Sequence, residues 1–68
     1  MNNFANNLKY YRELTSRTQR EMAELLNMTV NAYQQYEYGK REPRLSVLIE
    51  ISDILNVSLD ELVKKIHS

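Results

Sequence analysis

The sequence predicts an all-α fold, a compact bundle of five short helices forming a single domain over residues 1–68. Three observations carry this. The 68 residues include one glycine and one proline, so the chain has few breaks. Apolar residues recur at spacings of three and four, the repeat of one helix face. Two segments, Thr18-Gln19-Arg20-Glu21 and Ser58-Leu59-Asp60-Glu61, have the Ser/Thr-x-x-Glu pattern of a helix start. There a hydroxyl and a carboxylate satisfy free backbone amides reciprocally.

Phe4, Leu8 and Tyr11 fall at i, i+4 and i+7 and mark the inner stripe of a first helix that fades between Leu14 and Ser16. The Thr18 box opens a second helix whose inner face is Met22, Ala23 and Leu26. Asn27 stops it, asparagine being, after glycine, the residue that best tolerates the left-handed conformation at a helix end. Thr29 caps a third helix, Val30 to Tyr38, with Tyr33 and Tyr36 turned inward. Gly39 ends it, and Lys40-Arg41-Glu42-Pro43 is a polar connection in which proline keeps Glu42 extended. Leu45, Leu48, Ile51 and Leu55 form the stripe of a fourth helix, widened by Val47, Ile49 and Ile54. Asn56-Val57 is a second tight break, and the Ser58 box opens a fifth helix carrying Leu59, Leu62, Val63 and Ile66. Helices this short are marginal alone, so each depends on its neighbours.

Composition excludes several classes of function. There is no cysteine, hence no disulfide and no thiolate metal site, and the single histidine, His67, has no second ligand nearby, so no metal or cofactor is expected. The chain has no glycine-rich phosphate loop and no Ser/His/Asp set, and the adjacent acids Asp60 and Glu61 are explained by the dipole of the helix they open. No enzyme is expected, and no small-molecule ligand is evident. No apolar run approaches membrane-spanning length, and Met1-Asn2-Asn3-Phe4 lacks the order of a signal peptide, which predicts a cytoplasmic protein without membrane contact.

Nine basic and nine acidic residues give a net charge of zero, but the two signs are not mixed evenly. Up to Arg44, seven bases (Lys9, Arg12, Arg17, Arg20, Lys40, Arg41, Arg44) face five acids (Glu13, Glu21, Glu24, Glu37, Glu42). From Leu45 onward, Lys64 and Lys65 face Glu50, Asp53, Asp60 and Glu61. Neutrality is therefore a cancellation between a basic part and an acidic part.

The segment from Thr18 to Tyr38 carries the functional signal. Two capped helices separated by Asn27 and Met28 have no room to reverse into an antiparallel hairpin, so they must cross steeply as a helix-turn-helix. In such a unit the second helix enters the DNA major groove while the first crosses the phosphate backbone. With Tyr33 and Tyr36 inward, Val30, Asn31, Gln34, Gln35 and Tyr38 face outward. Asn and Gln can pair with adenine N6 and N7, and a valine methyl can pack on the thymine methyl. On an arbitrary helix such a face would be merely uncharged and solvated; the steep turn and the basic flank favour DNA.

These residues resemble the lambda-repressor/Cro-like helix-turn-helix transcriptional regulators over about Leu8 to Leu62. The resemblance rests on Leu8-Lys9 with Arg12, Thr18-Gln19-x-x-Met22-Ala23-x-x-Leu26, Thr29, Tyr36-Glu37-x-Gly39-Lys40-Arg41-x-Pro43 and Leu55-Asn56-Val57-Ser58-Leu59-Asp60-Glu61-Leu62. It implies a DNA-binding domain of lambda-repressor type that reads bases with Val30, Asn31, Gln34 and Gln35. The implied phosphate contacts are Thr18, Gln19, Thr29, Tyr38, Lys40, Arg41 and Arg44, with Gln19 also bracing the recognition helix. Arg12 and Glu37 match a partly buried ion pair tying the first helix to the end of the third. Departures from the pattern are Asn27 for a glycine, Tyr38 for an asparagine, Val30 for a polar residue, and Arg17 for a buried aliphatic. The Arg17 side chain either snorkels, with Leu14 or Tyr11 filling the space, or points at DNA.

The expected function is sequence-specific binding to double-stranded DNA and control of transcription, by repression, as a homodimer on a palindromic operator. One recognition helix covers only a few base pairs, and two-fold pairing places half-sites about 34 Å apart. Val47, Ile54, Val63 and Ile66, with Ile49, are candidates for the dimer interface, the fifth helix at about 59–66 contributing; they serve equally to fill the monomer's own core. The rival reading is a protein-binding module, an antitoxin or adaptor using the same helices.

Overall fold

The computed structural model describes residues 3–65. Its elements are α1 (Phe4–Leu14), α2 (Gln19–Leu25), α3 (Val30–Glu37), α4 (Leu45–Leu55) and α5 (Leu59–Val63). Both expected capping boxes form. The Glu21 amide donates to Thr18 Oγ1 at 3.0 Å and the Thr18 amide to Glu21 Oε1 at 2.8 Å. The Glu61 amide donates to Ser58 Oγ at 2.9 Å and the Ser58 amide to Glu61 Oε1 at 2.8 Å. Thr29 caps α3 by accepting from the Ala32 amide at 3.1 Å.

The helices stop by one device used at the ends of α1, α2, α3 and α4. Ser16, Asn27, Gly39 and Asn56 take left-handed backbone with φ of 59°, 57°, 74° and 55°. Each turn is closed by a pair of backbone bonds characteristic of the Schellman motif. In the α2–α3 turn, the Met28 amide donates to Ala23 at 2.9 Å and the Asn27 amide to Glu24 at 3.1 Å. Arg17 and Ser16 donate likewise to Arg12 and Glu13, Lys40 and Gly39 to Gln35 and Tyr36, and Val57 and Asn56 to Ser52 and Asp53. Asn27, Gly39 and Asn56 are the stops expected from sequence; Ser16, a β-carbon residue without a side-chain amide, is the one that composition does not flag.

The core is Phe4, Leu8, Met22, Ala23, Leu26, Tyr33, Tyr36, Leu48, Ile51, Leu55 and Leu62. α2 lies on α3, α1 packs against both α3 and α5, and α4 packs against α5. The folded surface is 4535 Å², as expected of a chain of about this mass. No helix among the described residues is long and apolar enough to cross a membrane.

Two expected core residues are not in the core. Leu45 is 66% exposed and Leu59 is 38% exposed. Each is the first residue of its helix. A helical side chain leans back over the turn preceding its own Cα, and a first residue has no such turn beneath it. Burial starts one turn further in, at Leu48 and Leu62. α5 is also shorter than the predicted helix, ending at Val63, and Ile66 and His67 lie outside the described residues.

The tie between the first and last helices is polar and is absent from the apolar stripe. Asn7 is 3% exposed, and its side-chain amide donates into the carbonyls of Glu61, Leu62 and Lys64 at the end of α5. Carbonyls at a helix end lack internal partners. One buried asparagine thus satisfies the terminus of a five-residue helix and fastens it to α1.

The left-handed stops make opposite predictions at two sites. Ser16→Gly removes a β-carbon penalty on an exposed turn and should stabilise the fold by about 0.5–1 kcal/mol. An added Cβ at Gly39 would meet only Ala5 Cβ, at 3.7 Å, so Gly39→Ala should destabilise by about 1–2 kcal/mol through φ alone. Thermal melts of the two variants should move in opposite directions, by roughly 4–8 °C per kcal/mol in a domain of this size. A Ser16→Gly melt equal to or below wild type contradicts the strain assigned to that turn.

Candidate nucleic-acid interface

A helix that must present side chains to a large, rigid ligand needs its own position fixed. α3 is eight residues long, too short to hold its shape alone. It is held by the α2–α3 turn on one side and by a buried polar cluster beneath it.

That cluster centres on Glu37, at the end of α3, 7% exposed. The Arg12 guanidinium, from α1, straddles the carboxylate: Nε donates to Oε2, and Nη2 donates to Oε1 at 3.1 Å. The Tyr33 hydroxyl, one turn back on α3, donates to Oε2. Gln19 Nε2, from the start of α2, donates to Oε1 at 3.0 Å. Arg12 Nη1 is also committed, donating to the Arg17 carbonyl in the α1–α2 turn at 2.9 Å. No buried side-chain nitrogen or oxygen among the described residues lacks a partner. Three helices and a turn therefore meet on one charge pair.

The cluster sets the protonation of its members. Burial by itself would raise the Glu37 carboxyl, but hydrogen bonds from Arg12, Tyr33 and Gln19 outweigh it and hold the group below its ordinary value. The hydrogen bond to Glu37 raises the Arg12 guanidinium further, against the effect of burial. Burial, then the bond to Glu37, pushes the Tyr33 phenol well above the ordinary tyrosine range. At neutral pH the cluster holds one carboxylate, one guanidinium and one neutral phenol.

Above it lies the outward face of α3. Asn31 is exposed, Gln34 and Gln35 are half-buried, and Tyr38, just past the helix, is exposed. Val30 is half-buried against the core, so only part of its side chain is left at the surface. Gln34 Nε2 donates to Gln19 Oε1 at 2.9 Å, joining this face to the cluster below. The one acid of α3 is the buried Glu37, so the outward face carries no negative charge. Thr18 and Thr29, at the starts of α2 and α3, are exposed, and Gln19 is half-buried. Lys40, Arg41 and Arg44 are exposed along the connection to α4. Arg44 occupies the N-cap of α4 without a side-chain capping bond. Arg17 is half-buried, Tyr11 packs on the core, and Leu14, at 64% exposed, does not fill the space ahead of α2.

The residues considered for self-association fall into two groups. Val47, Ile54 and Val63 are half-buried against the core. Among the described residues, the exposed apolar ones at this end are Leu45 and Ile49, one turn apart on α4, and Leu59 on α5. Periodicity undervalues Tyr33, which it marks only as an apolar inward residue; the spacing of four from Glu37 is the signal that could reveal its polar role. The link from Gln34 to Gln19 joins two helices and leaves no mark on local pattern.

Known proteins share this fold. Residues 8–62 match the sequence model of the helix-turn-helix family. The chain is 51% identical over 61 residues to the HTH-type transcriptional regulator YqaE of Bacillus subtilis, covering 90% of this chain and 53% of that protein. It is 35% identical over 51 residues to the cryptic phage CTXphi transcriptional repressor RstR of Vibrio cholerae, covering 75% of this chain and 46% of that protein. Its fold matches the crystal structure of a transcriptional regulator from Listeria innocua with a TM-score of 0.83 and 29% identity, over 96% of this chain and 61% of that one. The chain thus spans about half the length of the curated relatives it matches.

The cluster predicts an acid-side dependence of stability. A carboxyl depressed in the folded state stabilises fully above its ordinary, unfolded value, and that contribution is lost as pH falls through the folded one. Wild type should therefore be flat in urea midpoint from about pH 8 to pH 5 and weaken at lower pH. Glu37→Gln strands the buried Arg12 charge and should cost about 3–5 kcal/mol at neutral pH. A domain of this size has a total of only about 3–10 kcal/mol. Urea titrations followed by circular dichroism at pH 7, 5 and 3 check this; coincident midpoints for both proteins at pH 7 would refute the role given to Glu37.

Proposed function

The chain belongs to the helix-turn-helix family, and from that premise we propose that it binds a specific double-stranded DNA operator and represses transcription by occupying it, as a homodimer. The observation that carries this reading is the outward face of α3. It is uncharged and amide-bearing, it is held by a saturated buried cluster, and it is flanked by the exposed cations Lys40, Arg41 and Arg44. Asn31, Gln34, Gln35 and the exposed part of Val30 are the base-reading residues. Thr18, Gln19, Thr29, Tyr38, Lys40, Arg41 and Arg44 are the phosphate contacts, positioning the domain without reading sequence.

Dimerisation supplies what one short helix lacks. A single α3 spans a few base pairs, and two copies related by a two-fold axis read half-sites about one helical turn apart. The acidic end carrying α4 and α5 is the suitable side for that pairing, because it lies in the part of the chain with the weaker claim on phosphate and exposes Leu45, Ile49 and Leu59. Repression agrees with the name of the Vibrio relative, a transcriptional repressor.

Selection of bound duplexes from a random pool, followed by salt titration, tests the proposal. A palindromic site should emerge, with affinity falling by about 10³ or more between 50 and 200 mM salt if six or more phosphates are engaged. Asn31→Ala should relax base preference by about 1–3 kcal/mol at one position and leave the salt slope unchanged. Arg41→Ala or Arg44→Ala should weaken binding on every duplex and reduce the slope by about one phosphate. Absence of duplex binding at low salt would exclude this function and favour a protein partner.

A further inference from the structure

Resting on that reading, we infer that the buried Glu37 carboxylate dictates which end of the Gln34 amide meets DNA, acting through Gln19, and so makes Gln34 select adenine against guanine. Hydrogen-bond capacity decides this. An ionised carboxylate has two oxygens, about four acceptor directions and no donor. Glu37 receives Arg12 Nε and the Tyr33 hydroxyl on Oε2, and Arg12 Nη2 and Gln19 Nε2 on Oε1. Its acceptor capacity is full.

A saturated acceptor imposes direction on the amides linked to it. Gln19 can face Glu37 only with its nitrogen, so its carbonyl oxygen is the end turned to Gln34. Gln34 can answer that oxygen only with its own nitrogen, as the 2.9 Å bond from Gln34 Nε2 to Gln19 Oε1 shows. Turning either amide over would set oxygen against oxygen above a buried negative charge. One carboxylate therefore fixes two amide orientations in sequence across α3, α2 and back to α3.

The outcome at the surface is specific. One Gln34 amide proton is committed to Gln19, leaving the carbonyl oxygen and the second proton. Adenine offers a matching donor at N6 and acceptor at N7. Guanine offers two acceptors, N7 and O6. Guanine would need both Gln34 protons, one of which is already engaged. Gln34 is the specificity-determining residue, while Gln19 and Glu37 are positioning residues that act through it.

Gln19→Met keeps side-chain length and removes the relay without touching the Arg12–Glu37 pair, and its helicity by circular dichroism verifies folding. Gln19→Ala repeats the measurement with a strong helix former. On the selected operator and its single-base variants, wild type should prefer adenine to guanine at the Gln34 position by about tenfold or more. Either variant should narrow that ratio to within about threefold, since a released amide can turn to suit either base. The loss common to all duplexes reports the separate phosphate contact of Gln19. An adenine-to-guanine ratio unchanged in the variants, or a wild-type preference for guanine, overturns the relay.

A second readout needs no DNA. In the free ¹⁵N-labelled protein, one Gln34 side-chain amide proton should be displaced and protected from exchange, and this signature should vanish in Gln19→Met. Identical Gln34 side-chain resonances in the two proteins overturn the relay even if no duplex is bound. Failure of wild type to bind any duplex defeats the operator reading alone.

Discussion

A domain of 68 residues has little interior to spend on charge, yet the centre of this one is an ion pair, Arg12 with Glu37, buried where three helices converge. Taking two charges from water is costly, and their mutual attraction offsets this only with good geometry and further hydrogen bonds. Both conditions are met: the guanidinium fork grips both carboxylate oxygens, and Tyr33 and Gln19 fill the remaining acceptor sites. A pair of leucines could occupy the same volume without that cost. What leucines could not do is specify direction, because apolar contact is indifferent to rotation, whereas a forked ion pair admits one arrangement of α1, α2 and α3.

The same constraint of size governs the turns. Disulfides, a usual support of small domains, are not open to a chain without cysteine, and the described residues hold no cluster of three or more metal-binding side chains. Rigidity comes from helix ends that stop abruptly: a left-handed residue at Ser16, Asn27, Gly39 or Asn56, each closed by two backbone bonds. The α2–α3 turn gains most from this, since it fixes the angle at which the recognition helix leaves its support. At the far end Asn7 performs a related service, satisfying the carbonyls that end α5. In both places backbone groups that would otherwise need water are paired internally, which lets short helices pack closely.

Much of this is legible from sequence because it is local. Capping boxes are patterns four residues long, and Asn27, Gly39 and Asn56 announce left-handed stops by residue type. Met22, Ala23 and Leu26 sit where periodicity places them. The departures are equally physical. Leu45 and Leu59 satisfy the helical repeat but fall at first positions with no turn beneath them. Asn7 and Tyr33 matter through polar atoms that reach across the fold or along the buried face, and a pattern of apolar residues is blind to them. At the candidate interface, the identities of Asn31, Gln34 and Gln35 are legible. The orientation of the Gln34 amide is not, because it depends on a carboxylate that only folding brings into reach.

That dependence joins stability and recognition in one set of atoms. A strongly basic reader can hold DNA through phosphates and tolerate a loose recognition helix, since counterion release is indifferent to sequence. This chain is neutral overall, with its excess of bases confined to the part that carries α1, α2, α3 and the connection to α4. For the operator binding proposed, its phosphate attraction is modest, so more of the discrimination comes from a few amides held in fixed orientation. An amide can be held only by groups that are themselves held, which leads back through Gln19 to Glu37 and Arg12. The buried charge pair is shielded from water, and one hydrogen bond separates it from Gln19, the side chain that holds the Gln34 amide.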